Sequence, residues 1–375
     1  MSRTKYTKTS QRWIVKIGSA LLTQDGKGLD YTAIADWAKQ IAELRKEGVE
    51  VVLVSSGSIA EGMSRMGWTA RPTTLPELQA AAAIGQAGLI QAYQSEFQKF
   101  GAQAAQVLLT HDDVSHRLRY LNAKNTLRTL IRLGTIPIVN ENDTVAFEEI
   151  RLGDNDTLGA VVASLIEADL LVILTDQKGL YDSDPRKNPD AKFISEGLAM
   201  NPDYVKFAGA AGTAIGSGGM ATKVKAARRA ARAGCATVIV SGREENVLTR
   251  LRDGENVGTL LTPEDTKLVA RKQWIAGQTQ AKGSLYLDAG AASAVAKQGK
   301  SLLAVGVLKC EGTFDRGDRV DCVDTNGKII ARGLSNYASR DVIKICKTPS
   351  QLIPEKLGYM GENELIHRDN LVLED

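Results

Sequence analysis

Between Arg12 and about Leu261, short apolar runs without polar alternation recur: WIVKI (13–17), VEVVLVS (49–55), AAQVLLT (104–110), TIPIVN (135–140), ADLLVILT (168–175) and ATVIVS (236–241). Runs of this length, rich in Val, Ile and Leu, suit strands covered on both faces. The stretches between them carry helical periodicity. YTAIADWAKQIAELRKEG closes on Gly48 and PELQAAAAIGQAGLIQAYQSEFQKFG on Gly101, with glycine where a helix C-cap needs it. Strand and helix alternating in this way predict a three-layer α/β/α sandwich with a mostly parallel central sheet.

The pattern changes after Leu261. Residues 262–282 are polar and read as a linker, and short strand-like runs follow: SLYLD, LLAVGVLK, DRVDCVD and KIIARGL, separated by the turn signals DRGD and DTNGK. With one short helix, AGAASAVAKQ, they predict a small, mostly-β domain. The expected organisation is a larger domain over 11–261, a linker over 262–282, the small domain over 283–361 and a tail over 362–375. A chain of 375 residues exceeds the size at which one core stops growing, so two domains also fit its length.

Composition narrows the function classes. A hydrophobic share of 43%, a charged share of 24% and a net charge of +3 describe an ordinary soluble protein with no pull toward a polyanion. Cys235, Cys310, Cys322 and Cys346 stand singly, with no C-x-x-C pair and no histidine at metal spacing, so neither a disulfide framework nor a protein metal site is expected. The basic N-terminus leads straight into a strand-like run rather than a signal peptide or membrane span. A cytoplasmic location is the expectation.

Four loops follow predicted strands, and ligands of an open α/β sheet gather beyond the carboxyl ends of its strands. In KIGSALL, Lys16 lies inside an apolar run, where it is either an edge lysine reaching water or the partner of an anion; Gly18 and Ser19 favour an anion by letting backbone N–H groups approach it. In VSSGSIAEG, Ser56 and Gly57 open a helix and form either an N-cap or a seat for a carboxylate or phosphate. The segment 139–160 holds Asn140, Asn142, Asp143, Asp154, Asn155 and Asp156, more Asx residues than capping one helix requires. Such clustered acids and amides suit a zwitterionic amino acid, whose ammonium relieves their mutual repulsion. In LTDQKGLYDSDPRKNP, Thr175 and Asp176 end a strand before a long loop that is either plain surface or part of a nucleotide site.

A fifth stretch, GSGGMATK at 216–223, resembles a phosphate loop with its lysine out of place: Thr222 precedes Lys223 where a Walker loop has glycine, and Val224 follows where it has a hydroxyl residue. His111, His116 and His367 fall outside all of these loops, so a histidine base is not expected. Together the features point to phosphoryl transfer, in which positioning and charge stabilisation by Lys16 and Lys223 with Mg2+ carry most of the work.

The ordered set K-x-G-S, V-S-S-G-S-I-A-x-G, I-V-N-E-N-D, G-D-N-D, L-T-D-Q-K-G-L-Y and G-S-G-G-M-A-T-K resembles the amino acid kinase family over about residues 11–261, and within it the branch that phosphorylates glutamate. The segment 283–361 is similar to a PUA domain, but eleven Lys and Arg against eight Asp and Glu give it little electrostatic pull on RNA. The resemblance implies ATP-dependent phosphorylation of the γ-carboxylate of L-glutamate, the first step of proline biosynthesis. It assigns Lys16 and Lys223 to the transferring phosphoryl group and Asp156 to holding both lysines. Ser56, Gly57, Asp143, Asp154 and Asn155 are implied for glutamate. Gly18, Ser19, Thr175, Asp176, Ser217, Gly218, Gly219, Met220, Ala221, Thr222 and Lys223 are implied for the nucleotide. It further implies inhibition by proline, a homodimer or homotetramer, and handover to a γ-glutamyl phosphate reductase. Two alternatives stay open: another carboxylate or carbamate kinase of the same fold, or an RNA-binding protein that uses the PUA-like module.

Overall fold

The computed structural model describes residues 3–23, 28–145, 155–210, 219–264, 281–359 and 361–374. The chain divides into two compact units, 1–115 with 122–265 and 116–121 with 266–375. Among the described residues, the first unit contains an eight-stranded sheet: β1 Arg12–Ile17, β2 Glu50–Ser55, β3 Ala104–Leu109, β4 Ile136–Glu141, β5 Leu170–Thr175, β6 Glu196–Leu198, β7 Ala236–Ser241 and β8 Thr259–Thr262. Their order is β3-β4-β2-β1-β5-β7-β8-β6, and all neighbours are parallel except β7 and β8.

β1 shows how the layers form. Trp13, Val15 and Ile17 share one face and join a core with Ile34, Trp37 and Ile41 of the helix Tyr31–Lys46 and with Leu89, Tyr93 and Phe97 of the helix Leu75–Gln98. The alternate residues Ile14 and Lys16 face the other way, toward the helix Asn155–Ile166. The helix Met220–Ala231 covers the same side, packing Val224 and Ala227 against Ile239 of β7. Both helix stops expected at glycine hold, with Gly48 at φ 83° and Gly101 at φ 69°.

The strand expectations differ from the structure in two places. β6 and β8 lie outside the six apolar runs, because three or four residues carry no usable period. β3 is not covered on both faces: it pairs only with β4, and most of its residues are partly exposed.

The second unit holds a five-stranded sheet, ordered β10-β9-β11-β12-β13, from β9 Gly283–Leu287, β10 Val307–Gly312, β11 Arg319–Val323, β12 Ile329–Leu334 and β13 Leu371–Leu373. The run LLAVGVLK is not one strand: Ala304–Gly306 make a 3-10 turn and β10 begins at Val307. β13, which the sequence pattern does not announce, pairs antiparallel with β12. Among the described residues no helix is long and apolar enough to cross a membrane.

Candidate active site

Lys16 is the next-to-last residue of β1, level with Val54 of β2 and Ile173 of β5. It is only 4% exposed, and the anion that permits this is Asp156, whose Oδ1 lies 2.6 Å from Lys16 Nζ. Asp156 sits in the first turn of the helix Asn155–Ile166, where the helix dipole favours negative charge. Its Oδ2 lies 3.0 Å from Nζ of Lys223, on the first turns of the helix Met220–Ala231, and 2.7 Å from the Thr222 hydroxyl.

One buried carboxylate thus holds two buried ammonium groups, and the triad carries one positive charge in excess. Burial alone would raise the Asp156 pKa, but Lys16 and Lys223 outweigh it and hold the carboxyl at about 2. The Lys223 pKa is lowered, chiefly by burial, with Lys16 adding repulsion and Asp156 opposing both. Excess charge out of water is costly without a counter-ion, so the triad is built to receive an anion.

Asn155, the residue before Asp156, faces a polar cluster. Its Nδ2 donates to Ser56 Oγ at 2.8 Å, to the Ser55 carbonyl at 3.2 Å and to Asn140 Oδ1 at 2.9 Å. Asn140 Nδ2 donates in turn to Gln86 Oε1 at 2.8 Å, and the Ser58 hydroxyl donates to Asp143 Oδ2 at 3.2 Å. Gly57 stands between Ser56 and the helix Ser58–Arg65 at φ 101°, a left-handed conformation that glycine adopts without strain. Burial pushes the Asp143 carboxyl up to about 6, against the Ser58 hydrogen bond and the charge of Arg71. An acceptor, hydroxyls and a carboxylate therefore lie beside the phosphoryl-ready triad.

Around the ends of β1 and β5, the Gly18 N–H reaches the Leu174 carbonyl at 3.4 Å, and exposed Ser19 opens the short helix Ser19–Leu22. The Thr175 hydroxyl donates to Asp176 at 3.1 Å, and exposed Asp176 is close enough to act on the charge of Lys223. Gly219 is the N-cap of the helix Met220–Ala231 and supplies no side chain to cap it, while the Thr222 N–H donates to the Gly219 carbonyl at 3.1 Å. Met220 packs into the core beside Leu180 and Val224, while Ala221 is exposed.

The structure brings Lys16, Ser56, Gly57, Asp143, Asn155, Asp156, Thr175, Asp176 and Lys223 to the carboxyl edge of one sheet; Asp154, Ser217 and Gly218 lie outside the described residues. The Thr222 hydroxyl lies 2.7 Å from Asp156 Oδ2 and 2.8 Å from the Gly219 carbonyl. Gln86 escaped the sequence reading altogether. In the Ala- and Gly-rich stretch AAAAIGQAGL a single glutamine reads as a helix-surface residue, and only the fold turns it inward.

The amino acid kinase family model matches residues 11–241. The glutamate 5-kinase of Thioalkalivibrio sulfidiphilus is 62% identical to this chain over 364 residues, covering 97% of each. The chain belongs to the glutamate 5-kinases of the amino acid kinase family. Those of Pseudomonas savastanoi pv. phaseolicola and Nitrosococcus oceani are 60% and 58% identical, covering 97% and 98% of this chain and 99% and 98% of their own. The PUA domain model matches 283–357. Among solved structures, a UMP kinase from Bacillus anthracis is similar over 68% of this chain and 97% of its own, with 18% identity and a TM-score of 0.47. Membership in the family accounts for both units, since the relatives are matched along nearly their whole length.

Proposed function

We propose that this protein transfers the γ-phosphoryl group of ATP to the γ-carboxylate of L-glutamate, giving γ-glutamyl phosphate for proline biosynthesis. One observation carries the reading. Consecutive residues at one helix N-terminus serve two chemistries: Asn155 joins the amide and hydroxyl cluster, and Asp156 holds the two buried lysines. An amino acid bound at the first has its side-chain carboxylate within reach of a phosphoryl group drawn to the second.

Ser56, Gly57, Asp143, Asp154 and Asn155 hold glutamate, with Asp143 and the amide oxygens facing its ammonium. Gly18, Ser19, Thr175, Asp176 and the 217–223 loop hold the nucleotide. Glutamate's γ-carboxylate has a pKa near ~4.3 and is already ionised at neutral pH, so no general base is required. What the reaction does require is relief of the repulsion between an anionic nucleophile and an anionic phosphoryl group, and Lys16 and Lys223 supply it. Asp156 and Thr222 keep the lysines in place. Mg2+ needs few protein ligands when phosphates provide the rest, and exposed Asp176, near Lys223, fits that need. When bound, the ion neutralises charge on the phosphate oxygens.

In the same reading the catalytic domain spans 11–261, with a linker over 262–282 and a PUA-like domain from 283 on; the segment 362–375, expected as a tail, supplies β13 and the core residues Leu365, Ile366 and Leu371 to that domain. Proline, which shares glutamate's α-amino acid part, competes for the amino-acid side. The protein works in the cytoplasm as a homodimer or homotetramer and passes its labile product to a γ-glutamyl phosphate reductase. The test is ADP release with ATP, Mg2+ and a panel of amino acids. Release with glutamate alone is expected, and Lys223→Ala abolishes it while leaving the folded protein's circular dichroism unchanged. Absence of release with every amino acid overturns the reading.

A further inference from the structure

Three carboxamides on three elements form a chain of fixed polarity beside the amino-acid side of the site. Two backbone groups set its direction. The Glu141 N–H can only donate and reaches Asn140 Oδ1 at 2.9 Å; the Ser55 carbonyl can only accept and lies 3.2 Å from Asn155 Nδ2. Asn155 Nδ2 therefore donates to Asn140 Oδ1 at 2.9 Å, and Asn140 Nδ2 to Gln86 Oε1 at 2.8 Å. The atoms left over are an acceptor, Asn155 Oδ1, and a donor, Gln86 Nε2, both buried and without a hydrogen-bond partner among the described residues. All three side chains are at least nine-tenths buried.

Buried polar atoms without partners are costly, and an apolar side chain in the middle of the helix Leu75–Gln98 would avoid that cost. Packing alone therefore does not explain a glutamine at 86. Its oxygen does something specific. If Asn140 turned its carboxamide over, its nitrogen would meet Asn155 Nδ2 and the Glu141 N–H, so two favourable contacts would become repulsive. The Glu141 N–H and the Ser55 carbonyl choose the orientation, and Gln86 Oε1 holds Asn140 in it by accepting from Asn140 Nδ2.

We infer that Gln86 is a positioning residue: acting through Asn140, it fixes the Asn155 carboxamide so that Oδ1 stands as a free acceptor for the ammonium group of the amino-acid substrate. This rests on the functional reading above. Gln86 does not touch the substrate, so its loss weakens amino-acid binding and leaves the phosphoryl side alone.

The experiment uses the full-length protein and measures initial rates against glutamate and against ATP. Gln86→Met removes the acceptor oxygen at nearly constant length. It is expected to raise KM for glutamate about tenfold, with kcat and KM for ATP within about twofold of the parent, the pattern of lost binding shared by ground and transition states. Gln86→Glu keeps an oxygen opposite Asn140 Nδ2 and is expected to recover most of the loss. In a cycle with Asn140→Ala, the double variant Q86M/N140A should bind glutamate no worse than N140A alone, since both act through one relay. An unchanged KM in Q86M, a rise that Q86E shares in full, additive effects in the cycle, or a parallel fall in kcat, ATP affinity and Tm each overturns the inference. If Q86M does not fold, Gln86→Leu takes its place under the same criteria. A parent protein inactive with glutamate sinks the functional reading and this inference together; an active parent with an unaffected Q86M sinks only the inference.

Discussion

Asp143 and Asp156 are carboxylates of one site that their surroundings push in opposite directions. Asp156, pinned between two lysines, is held at about 2, and Asp143, half-buried with the Ser58 hydroxyl and the charge of Arg71 as opposing influences, is raised by desolvation to about 6. The consequences for stability have opposite signs. The depressed pKa of Asp156 contributes stability that is present above the unfolded value of 3.8 and is lost as pH falls through about 2. The raised pKa of Asp143 favours the folded protein below 3.8, and that contribution is lost as pH rises through about 6. On the proposed function activity follows Asp143, because only its ionised form would attract the substrate ammonium. KM for glutamate is expected to rise as pH falls below about 6 while KM for ATP stays level; Asp143→Asn should give a high KM that no longer changes over that range. A wild-type KM that is flat between pH 5 and 7 contradicts this role. Asp156→Asn leaves two buried ammonium groups facing each other. A loss of about 3–5 kcal/mol in urea unfolding and a fall in kcat of about a hundredfold or more are expected.

The elements that carry these residues depend on one tight helix crossing. The helix Ser58–Arg65 lies against the helix Leu75–Gln98 with Gly62 and Gly85 at the contact, and a Cβ on Gly85 would overlap the Ser58 carbonyl oxygen and the Gly62 backbone nitrogen. Backbone atoms cannot rotate away, so Gly85→Ala must push the helices apart, at about 1–3 kcal/mol. Ser58 moves with its helix, and its hydroxyl links Asn140 to Asp143. The same substitution is therefore expected to raise KM for glutamate. Gly209→Ala, on a helix where an added Cβ meets nothing among the described residues, serves as the control and should be neutral or mildly stabilising by chemical denaturation. This crossing was not legible in the sequence, where Gly85 looks like one small residue among alanines. Lys16 was legible as a buried charge because it interrupts an apolar run, whereas its partner Asp156 was legible only through the family resemblance, since it lies far along the chain and only the parallel register of β1 beside β5 brings its helix over Lys16. The long runs announced β1, β2, β3, β4, β5 and β7 because a stretch of five or six residues is long enough to be read; β6, β8 and β13 are too short for that. Gln86 and Asn140 became partners only through the packing of a helix against a strand end.

At the scale of the whole molecule, the two units have separate hydrophobic cores, one around Trp13, Leu53 and Val172 and the other around Leu285, Val320 and Ile366. The basic N-terminal segment belongs to the first. Arg3 is 8% exposed and donates to the carbonyls of Val257 at 2.7 Å, Ser195 at 2.8 Å and Gly258 at 3.0 Å, tying the N-terminal helix Arg3–Thr7 to the segments that lead into β6 and β8. No carboxylate pairs with it in these bonds; burial lowers its pKa, with Glu196 opposing, and the three carbonyls satisfy its guanidinium. Arg3→Ala leaves those carbonyls, on the β8–β6 side of the sheet, without their donor. A loss of about 1–3 kcal/mol follows, borne by the first unit alone, with kcat and both KM values unchanged at 25 °C. Differential scanning calorimetry of the full chain checks this, since chains with two cores seldom melt in one step. On the proposed function ATP, Mg2+ and glutamate bind the folded first unit and should raise one transition, with the logarithm of their concentration over Kd. Arg3→Ala should lower that same transition and leave the other in place. If instead the variant moves both transitions, or moves the one that ligands do not touch, the N-terminal helix supports more of the molecule than the edge of its own sheet.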